Sequence, residues 1–361
     1  MSKFWNKKTQ ELLPYVAGEQ PKDGVKVIKL NTNENPFMPS PKCEEILKNF
    51  DISELRLYPN TDSQIVREAV GRKYSDFISA KNVFVGNGSD EVLALCWQAF
   101  FEEFSKTDLK VLTPNISYSF YPVYSQLYDV ALDRIQLNDD FTINIDDYCG
   151  RENAGIAIAN PNAPTSIAIS LDDIEKILKA NPDKVVIIDE AYAAFKNPFE
   201  TAITLVPKYN NLVVVQTMSK AYGLAGLRVG YAVANEELID GLMRVRDSFN
   251  SYPVDRIAQK LAAAAIDDDE YYEMNRLKLI NTREWSVKKL RELGFEVCDS
   301  SANFVFAKPN FIDAESLYKR LKEKGILVRY FSKKGISEYL RITIGTDEEM
   351  EVLMKAIEEE K

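Results

Sequence analysis

Lys220 stands just past the β-branched run L-V-V-V-Q-T (212–217), among small residues: Ser219, Ala221, Gly223, Ala225 and Gly226. No acid lies near it in sequence, so its amine is available as a nucleophile in a partly dry crevice. Arg228 and the hydroxyls of Thr217 and Ser219 flank it, a guanidinium fork and short donors of the kind a phosphate takes. Asp189 closes a second apolar run, K-V-V-I-I-D (184–189), which puts a carboxylate at the C-terminal edge of a sheet, where open α/β sheets bind ligands. Tyr192 follows in D-E-A-Y, close enough to face the same crevice. In G-N-G-S-D-E, Gly86 and Gly88 allow a tight turn, and Ser89 and Asp90 open a helix whose free N–H groups favour an anion.

Each feature alone has an ordinary structural account: a solvated lysine, an aspartate helix cap, a strand-to-helix turn. The glycine loop also lacks the third glycine of a dinucleotide fingerprint, so a Rossmann cofactor is not supported. Together the loops supply an amine, a carboxylate and a phosphate cradle, all at strand ends. Pyridoxal 5′-phosphate needs that set: an amine for its aldehyde, a carboxylate for its ring nitrogen and donors for its phosphate.

The elements that must position these groups alternate. Strands are expected at Val83–Val85, 111–114, 155–160, 184–189, 212–217 and 227–234. Helical patterns lie between them, from Thr61 (T-D-S-Q) to Tyr74, from Glu91 to Phe104, and from Ser170 (S-L-D-D), where the first and last start with capping signals. Continuous apolar strands alternating with helices predict an α/β fold, a mainly parallel seven-stranded-type sheet sandwiched by helices. After Pro253 the pattern changes. One long helical region (254–293) precedes strands near 295–297, 303–307, 326–329 and 339–344, with helices near 313–324 and from Thr346 (T-D-E-E). The expected organisation is an N-terminal arm (1–35) packing with the smaller domain, a large α/β domain (36–250) and a small α+β domain (251–361).

Composition narrows the chemistry. The chain has 361 residues, a formal net charge of −10 and no histidine. Without histidine there is no Ser-His-Asp triad, no Cys-His pair and no His-ligated metal, and no metal site is expected. Proton transfer near neutral pH must fall to Lys, Tyr, a carboxylate or a cofactor. The acidic balance disfavours nucleic acid or an anionic membrane as partner. The four cysteines, Cys43, Cys96, Cys149 and Cys298, are far apart, and the start of the chain has no apolar leader-like run, so a reduced, cytoplasmic protein is expected.

The stretch S-K-A-Y-G-L-A-G-L-R-V-G-Y (219–231), with D-E-A-Y and G-N-G-S-D-E in the same order, resembles the fold-type I, class I/II pyridoxal-phosphate aminotransferases. From L-L-P-Y-V-A-G to L-R-I-T-I-G-T the whole chain is similar to the histidinol-phosphate branch of that family. The resemblance implies an exchange of an amino group between histidinol phosphate and 2-oxoglutarate. It implies that Lys220 carries the cofactor and moves a proton, that Asp189 pairs with the ring nitrogen and Tyr192 with the phenolic oxygen, and that Tyr118 stacks on the ring. Ser89, Asp90, Thr217, Ser219 and Arg228 hold the cofactor phosphate, and Tyr58 reaches the cofactor of a neighbouring subunit, which implies a homodimer. Arg341 takes a substrate carboxylate, Arg329 the substrate phosphate, and Tyr15 and the N-T-N-E-N stretch (31–35), with Asn33 at its centre, line the entrance. The family's N-P-N-N-P-T-G reads N-P-N-A-P-T-S here, so Ala163 replaces the usual asparagine and Asn162 is expected to take over its contact. The segment D-S-F-N-S-Y-P (247–253) also departs from the family on the substrate side. Three alternatives stay open at this point: an aromatic amino-acid aminotransferase, a threonine-phosphate decarboxylase, and a regulator that keeps the fold as a ligand sensor.

Overall fold

The computed structural model describes residues 2–15, 18–21, 27–103 and 105–361. The Val16 and Ala17 part of L-L-P-Y-V-A-G and the expected helix end at Phe104 lie outside them. The strands are β1 (Ile28–Lys29), β2 (Val83–Gly86), β3 (Val111–Pro114), β4 (Leu132–Ile135), β5 (Gly155–Ala159), β6 (Val186–Asp189), β7 (Leu212–Thr217), β8 (Gly230–Ala234), β9 (Phe295–Val297), β10 (Phe304–Pro309), β11 (Ile326–Leu327), β12 (Arg329–Tyr330) and β13 (Leu340–Thr343). The α-helices are α1 (Lys7–Glu11), α2 (Pro41–Lys48), α3 (Gln64–Lys73), α4 (Gly88–Phe100), α5 (Tyr121–Tyr128), α6 (Leu171–Ala180), α7 (Glu236–Phe249), α8 (Arg256–Ile266), α9 (Asp269–Glu292), α10 (Ala314–Glu323) and α11 (Asp347–Glu358).

The large sheet has seven strands in the order β2-β8-β7-β6-β5-β3-β4. The pairs β7–β6, β6–β5, β5–β3 and β3–β4 are parallel, and β8 alone runs against its neighbours β2 and β7. Strands β5 to β8 are buried along their whole length, because helices cover both faces. Each Ile or Val so buried on β6 and β7 contributes roughly 1.5–3 kcal/mol relative to exposure. The register pairs Asp189 with Val215, so β6 and β7 end side by side and bring Asp189 and Lys220 to one edge.

Local chemistry sets the boundaries. Ser170 and Thr346 form the capping boxes their sequences predict, each with a reciprocal side-chain contact at the third helical residue. Thr61 does not cap a helix. Helix α3 begins at Gln64 after a left-handed Ser63 (φ 52°), and the Asn60 Oδ1 accepts the N–H groups of Asp62 (3.2 Å) and Gln64 (3.1 Å) instead. The expected strand 227–234 starts only at Gly230, because Ala225–Leu227 is a 3-10 turn ending in a left-handed Arg228 (φ 55°). The single helical region expected over 254–293 is two helices, broken at the aspartates that follow α8. Asp267 pairs with Arg72 (2.7 Å) and Asp268 with Ser40, which turns the chain at that point. Helix α8 packs on α2 and α3, burying Ala258, Leu261, Ala262 and Ala265 with Val66 and Ala69 in the core of the large sheet, although the sequence reading groups it with the second domain.

The second core joins α9, α10 and α11 to an antiparallel sheet ordered β12-β13-β10-β9, through Leu317, Leu340, Ile342 and Leu353. The arm is shared between the two. Strand β1 pairs in parallel with β11, and Glu19 pairs with Lys322 at 2.8 Å. The Leu13 N–H donates to Gln126 of α5, and Tyr15 stacks on Phe120 with ring centroids 4.4 Å apart. No helix among the described residues is long and apolar enough to cross a membrane.

Candidate active site

A cavity of about 430 Å³ opens where the edge of the large sheet meets the arm and the small sheet. Lys220 lies in its floor, just past the end of β7. Its Nζ donates to the Thr32 carbonyl (3.4 Å) and sits 5.7 Å from the centroid of the Tyr192 ring. Glu34 feels the lysine's charge but pairs with Lys29. The amine therefore faces the cavity without a carboxylate partner among the described residues.

Asp189 is 4% exposed at the end of β6. Its Oδ1 accepts the Ala191 N–H (3.1 Å) and its Oδ2 the Tyr121 hydroxyl (3.2 Å). Burial pushes its pKa up to about 7; these two hydrogen bonds oppose the shift, and the charges of Asp90 and Glu190 add to it. A buried acid so placed ionises readily only when a cation comes to it. The Tyr118 hydroxyl donates to Asp90 Oδ1 (2.5 Å), and its ring meets that of Tyr121 edge-on at 5.6 Å.

The anion cradle is built by interlocking loops. Gly88 starts α4 at φ 82°, and a Cβ there would lie 2.5 Å from Arg228 Nη2. At Gly230 a Cβ would lie 2.3 Å from the Ser89 nitrogen. Only glycines let the two loops approach this closely. Arg228 reaches across them, donating to Ser219 Oγ (3.4 Å) and to Asp90 Oδ2 (3.1 Å). The Ser219 N–H donates to Thr217 Oγ1 (3.1 Å), which shapes the turn that presents both hydroxyls. Ser89, Asp90, Thr217, Ser219 and Arg228 all line the cavity.

The small sheet carries the substrate-side candidates. Arg341 is half-buried on β13; its Nη2 donates to the Asn31 carbonyl (3.0 Å), while its buried Nε has no partner among the described residues. Burial holds its guanidinium below the usual arginine range. Its guanidinium lies over Phe304 (5.3 Å) and Phe331 (5.6 Å). Arg329 lies over Phe331 at 5.3 Å and lines the same cavity, as does Tyr15.

Asn33 sits deeper than an entrance residue. It is 1% exposed and left-handed (φ 57°), its Oδ1 accepts the Thr343 hydroxyl (3.1 Å), and its Nδ2 donates to the Tyr192 hydroxyl (3.0 Å). Asn162 is not where the sequence reading puts it. Its amide donates to the Ile116 carbonyl (2.9 Å) and Thr165 Oγ1 (3.0 Å), its Oδ1 accepts from Ser117 (2.8 Å), and it does not line the cavity. With its polar atoms so engaged, it pins two loops together. Tyr58 lies outside this chain's cavity, 77% exposed and stacked on Tyr252 at 4.6 Å.

Asn31 and Thr32 of the N-T-N-E-N stretch line the cavity and meet Arg341 and Lys220 through their carbonyls. Sequence reasoning passed over Tyr121, Arg134 and Lys333, all in the cavity wall. Tyr121 had a signal, since it follows Tyr118 by three residues at a helix start, the spacing of one helical turn. Arg134 and Lys333 reach the wall from elements distant in sequence, which no local pattern shows.

The model of the aminotransferase class I and II family matches residues 25–357. The chain belongs to that family. Among curated relatives, the histidinol-phosphate aminotransferase of Chromohalobacter salexigens is 47% identical over 358 residues, covering 99% of each protein. That of Acinetobacter baylyi is 50% identical over 358 residues, covering 98% of this chain and 96% of that one. Among solved structures, the histidinol-phosphate aminotransferase of Sinorhizobium meliloti in complex with pyridoxal-5′-phosphate matches with a TM-score of 0.87 at 24% identity, over 99% of this chain and 98% of that one. For an aminotransferase, the cavity gathers a fitting set: the amine of Lys220, the buried acid of Asp189 and the two arginines of the small sheet.

Proposed function

We propose that this chain is a pyridoxal 5′-phosphate-dependent aminotransferase that exchanges an amino group between histidinol phosphate and 2-oxoglutarate. The observation that carries this reading is that Arg341 and Arg329 line the same cavity as Lys220, one of them with a buried N–H left unmatched. Such a wall suits a phosphate-bearing substrate in one half-reaction and a dicarboxylic oxo acid in the other, because guanidinium forks match both phosphate and carboxylate. The relatives, matched over nearly their full length, are named histidinol-phosphate aminotransferases.

The residues fit the cofactor. Gly88, Ser89, Asp90, Thr217, Ser219 and Arg228 form a cradle that a Cβ would fill, and Asp189 is an acid in want of a cation. Bound there, pyridoxal phosphate supplies a ring that draws electrons from the substrate Cα. Asp189 would hold a proton on the ring nitrogen. The Tyr192 hydroxyl, oriented by Asn33, would donate to the ring's phenolic oxygen. Lys220 Nζ would take the proton from the substrate Cα and pass it to the cofactor's aldehyde carbon, a task its placement without a carboxylate partner leaves it free to perform. Tyr118 would pack against the ring, and Arg341 would orient the substrate so that the Cα proton faces the lysine.

The protein acts as a homodimer in this reading. The segment Ile52, Leu55, Leu57 and Tyr58 exposes apolar side chains beside Tyr252 and Phe249, an area suited to a second copy, whose cofactor Tyr58 would reach. Its four free cysteines suit the reducing cytoplasm.

Borohydride treatment of the holoenzyme followed by peptide mapping labels Lys220 if the reading is right; an unlabelled Lys220 refutes it. Arg329→Ala raises KM for histidinol phosphate far more than for phenylalanine. Equal increases would favour an aromatic amino-acid aminotransferase, and carbon dioxide release without an oxo-acid acceptor would favour a decarboxylase.

A further inference from the structure

Two cations in the cavity wall have no part in the chemistry described so far. Arg134 projects from β4 of the large domain, and Lys333 from the loop that links β12 to β13 in the small domain. Both converge on one acceptor, the Asn115 carbonyl: Lys333 Nζ donates to it at 3.3 Å and Arg134 Nη2 also donates to it. Neither has a carboxylate partner among the described residues. The acid next to Arg134, Asp133, pairs with Arg151 (3.1 Å). Glu338, on the same loop as Lys333, pairs with Lys308 (3.3 Å). The Asn115 side chain is itself tied to Gln136 (2.7 Å), so the carbonyl is held in place.

A single neutral carbonyl does not balance two positive charges. Although Lys333 is exposed as a residue, desolvation where its ammonium meets Asn115, and then the charge of Arg134, hold its pKa below the ordinary lysine range. Like charges brought together across a domain junction carry a repulsion that an anion removes. The junction itself is firmly packed, because Ile116 beside Asn115 and Ile336 beside the lysine loop share one apolar cluster. The two charges therefore keep their approach whether or not an anion is present.

We propose that Arg134 and Lys333 form a second oxyanion subsite at the cavity mouth, separate from Arg329 and Arg341, that receives the anionic end of an incoming acidic substrate. This rests on the reading that the cavity takes acidic substrates. The chemistry it recognises is a multiply charged oxyanion group, either a phosphate monoester on the amine or the second carboxylate of a dicarboxylic oxo acid. Both sources reach the same cavity by the same mouth, and electrostatic capture there raises the encounter rate.

The test uses the holoenzyme with Arg134→Gln, Lys333→Gln and the double variant, with Lys333→Arg as a charge-retaining control. The double variant is expected to raise KM about five- to tenfold for the substrate whose oxyanion is captured, leave kcat unchanged, and flatten the dependence of kcat/KM on ionic strength. Lys333→Arg keeps wild-type behaviour. A rise confined to histidinol phosphate identifies the phosphate as the ligand, and one confined to 2-oxoglutarate identifies the second carboxylate. KM values and salt dependence unchanged in the double variant overturn the proposal. Inorganic phosphate binding, measured by calorimetry on wild type and double variant, separates the two readings. Weaker phosphate binding in the variant of an enzyme that does not turn over histidinol phosphate sinks the proposed substrate but keeps the subsite. Equal phosphate binding and no rise in KM for 2-oxoglutarate, in an enzyme that does turn histidinol phosphate over, sink the subsite alone.

Discussion

Asp189 offers a quantitative check on the site, because its burial makes stability depend on pH in a definite direction. In the folded apoprotein its pKa is pushed up to about 7, against an ordinary value of 3.8. Between those values the folded chain holds a proton that the unfolded chain has released. Unfolding then loses protons, so stability falls as pH rises from about 4 to about 7 and is flat above. The difference of roughly three pKa units corresponds to at most about 4 kcal/mol, at 1.36 kcal/mol per unit. A bound cofactor changes this, since a cation on its ring nitrogen stabilises the carboxylate and brings its pKa down. The assay is denaturant unfolding of apoprotein and holoprotein at pH values from 4.5 to about 8.5. Wild-type apoprotein loses stability relative to Asp189→Asn apoprotein as pH rises, by up to about 3 kcal/mol over that range, while wild-type holoprotein does not. Parallel pH profiles for wild-type and Asp189→Asn apoprotein would show that the carboxylate is not held in a desolvated site, and the reasoning about the floor of the cavity would fail.

Gly88→Ala places a Cβ at φ 82° and 2.5 Å from the Arg228 guanidinium, so it displaces the arginine from the cradle; cofactor affinity falls about tenfold or more, read by equilibrium dialysis, with a stability loss of roughly 1–2 kcal/mol. Asn162→Ala removes a buried pin between loops and costs roughly 1–3 kcal/mol of stability, while the cofactor's visible absorbance and its pH dependence stay as in wild type. Asn33→Ala does the reverse: Tyr192 loses its orienting donor and gives a weaker hydrogen bond to the ring's phenolic oxygen. The extra negative charge left on that oxygen holds the neighbouring proton more tightly, so the pKa of the visible absorbance change rises, as a pH titration of the holoenzyme reads.

The chemistry-bearing residues were legible because each is tied to a strong local pattern. Lys220, Asp189 and the Gly86–Asp90 loop all stand at the ends of β-branched runs, and a buried parallel strand must end at a loop at the sheet's edge. The capping boxes at Ser170 and Thr346 were legible for the same reason, since cap and partner lie within four residues. The Thr61 cap failed because a neighbouring side chain, that of Asn60, took the N–H groups it was expected to take. The continuous helix over 254–293 failed because partners distant in sequence, Arg72 and Ser40, hold the aspartates at its break.

By itself, the sequence determined the α/β alternation, the amine, the acid and the cradle, because periodicity and glycine placement are properties of neighbouring residues. Only the tertiary structure decided that Asn162 pins loops and leaves Asn33 to touch Tyr192, that α8 packs into the first core, and that Arg134 meets Lys333 over one carbonyl. The Asn33 and Lys333 contacts join residues 159 and 218 positions apart, and contacts of that kind are set by how whole layers pack, which local spacing does not encode.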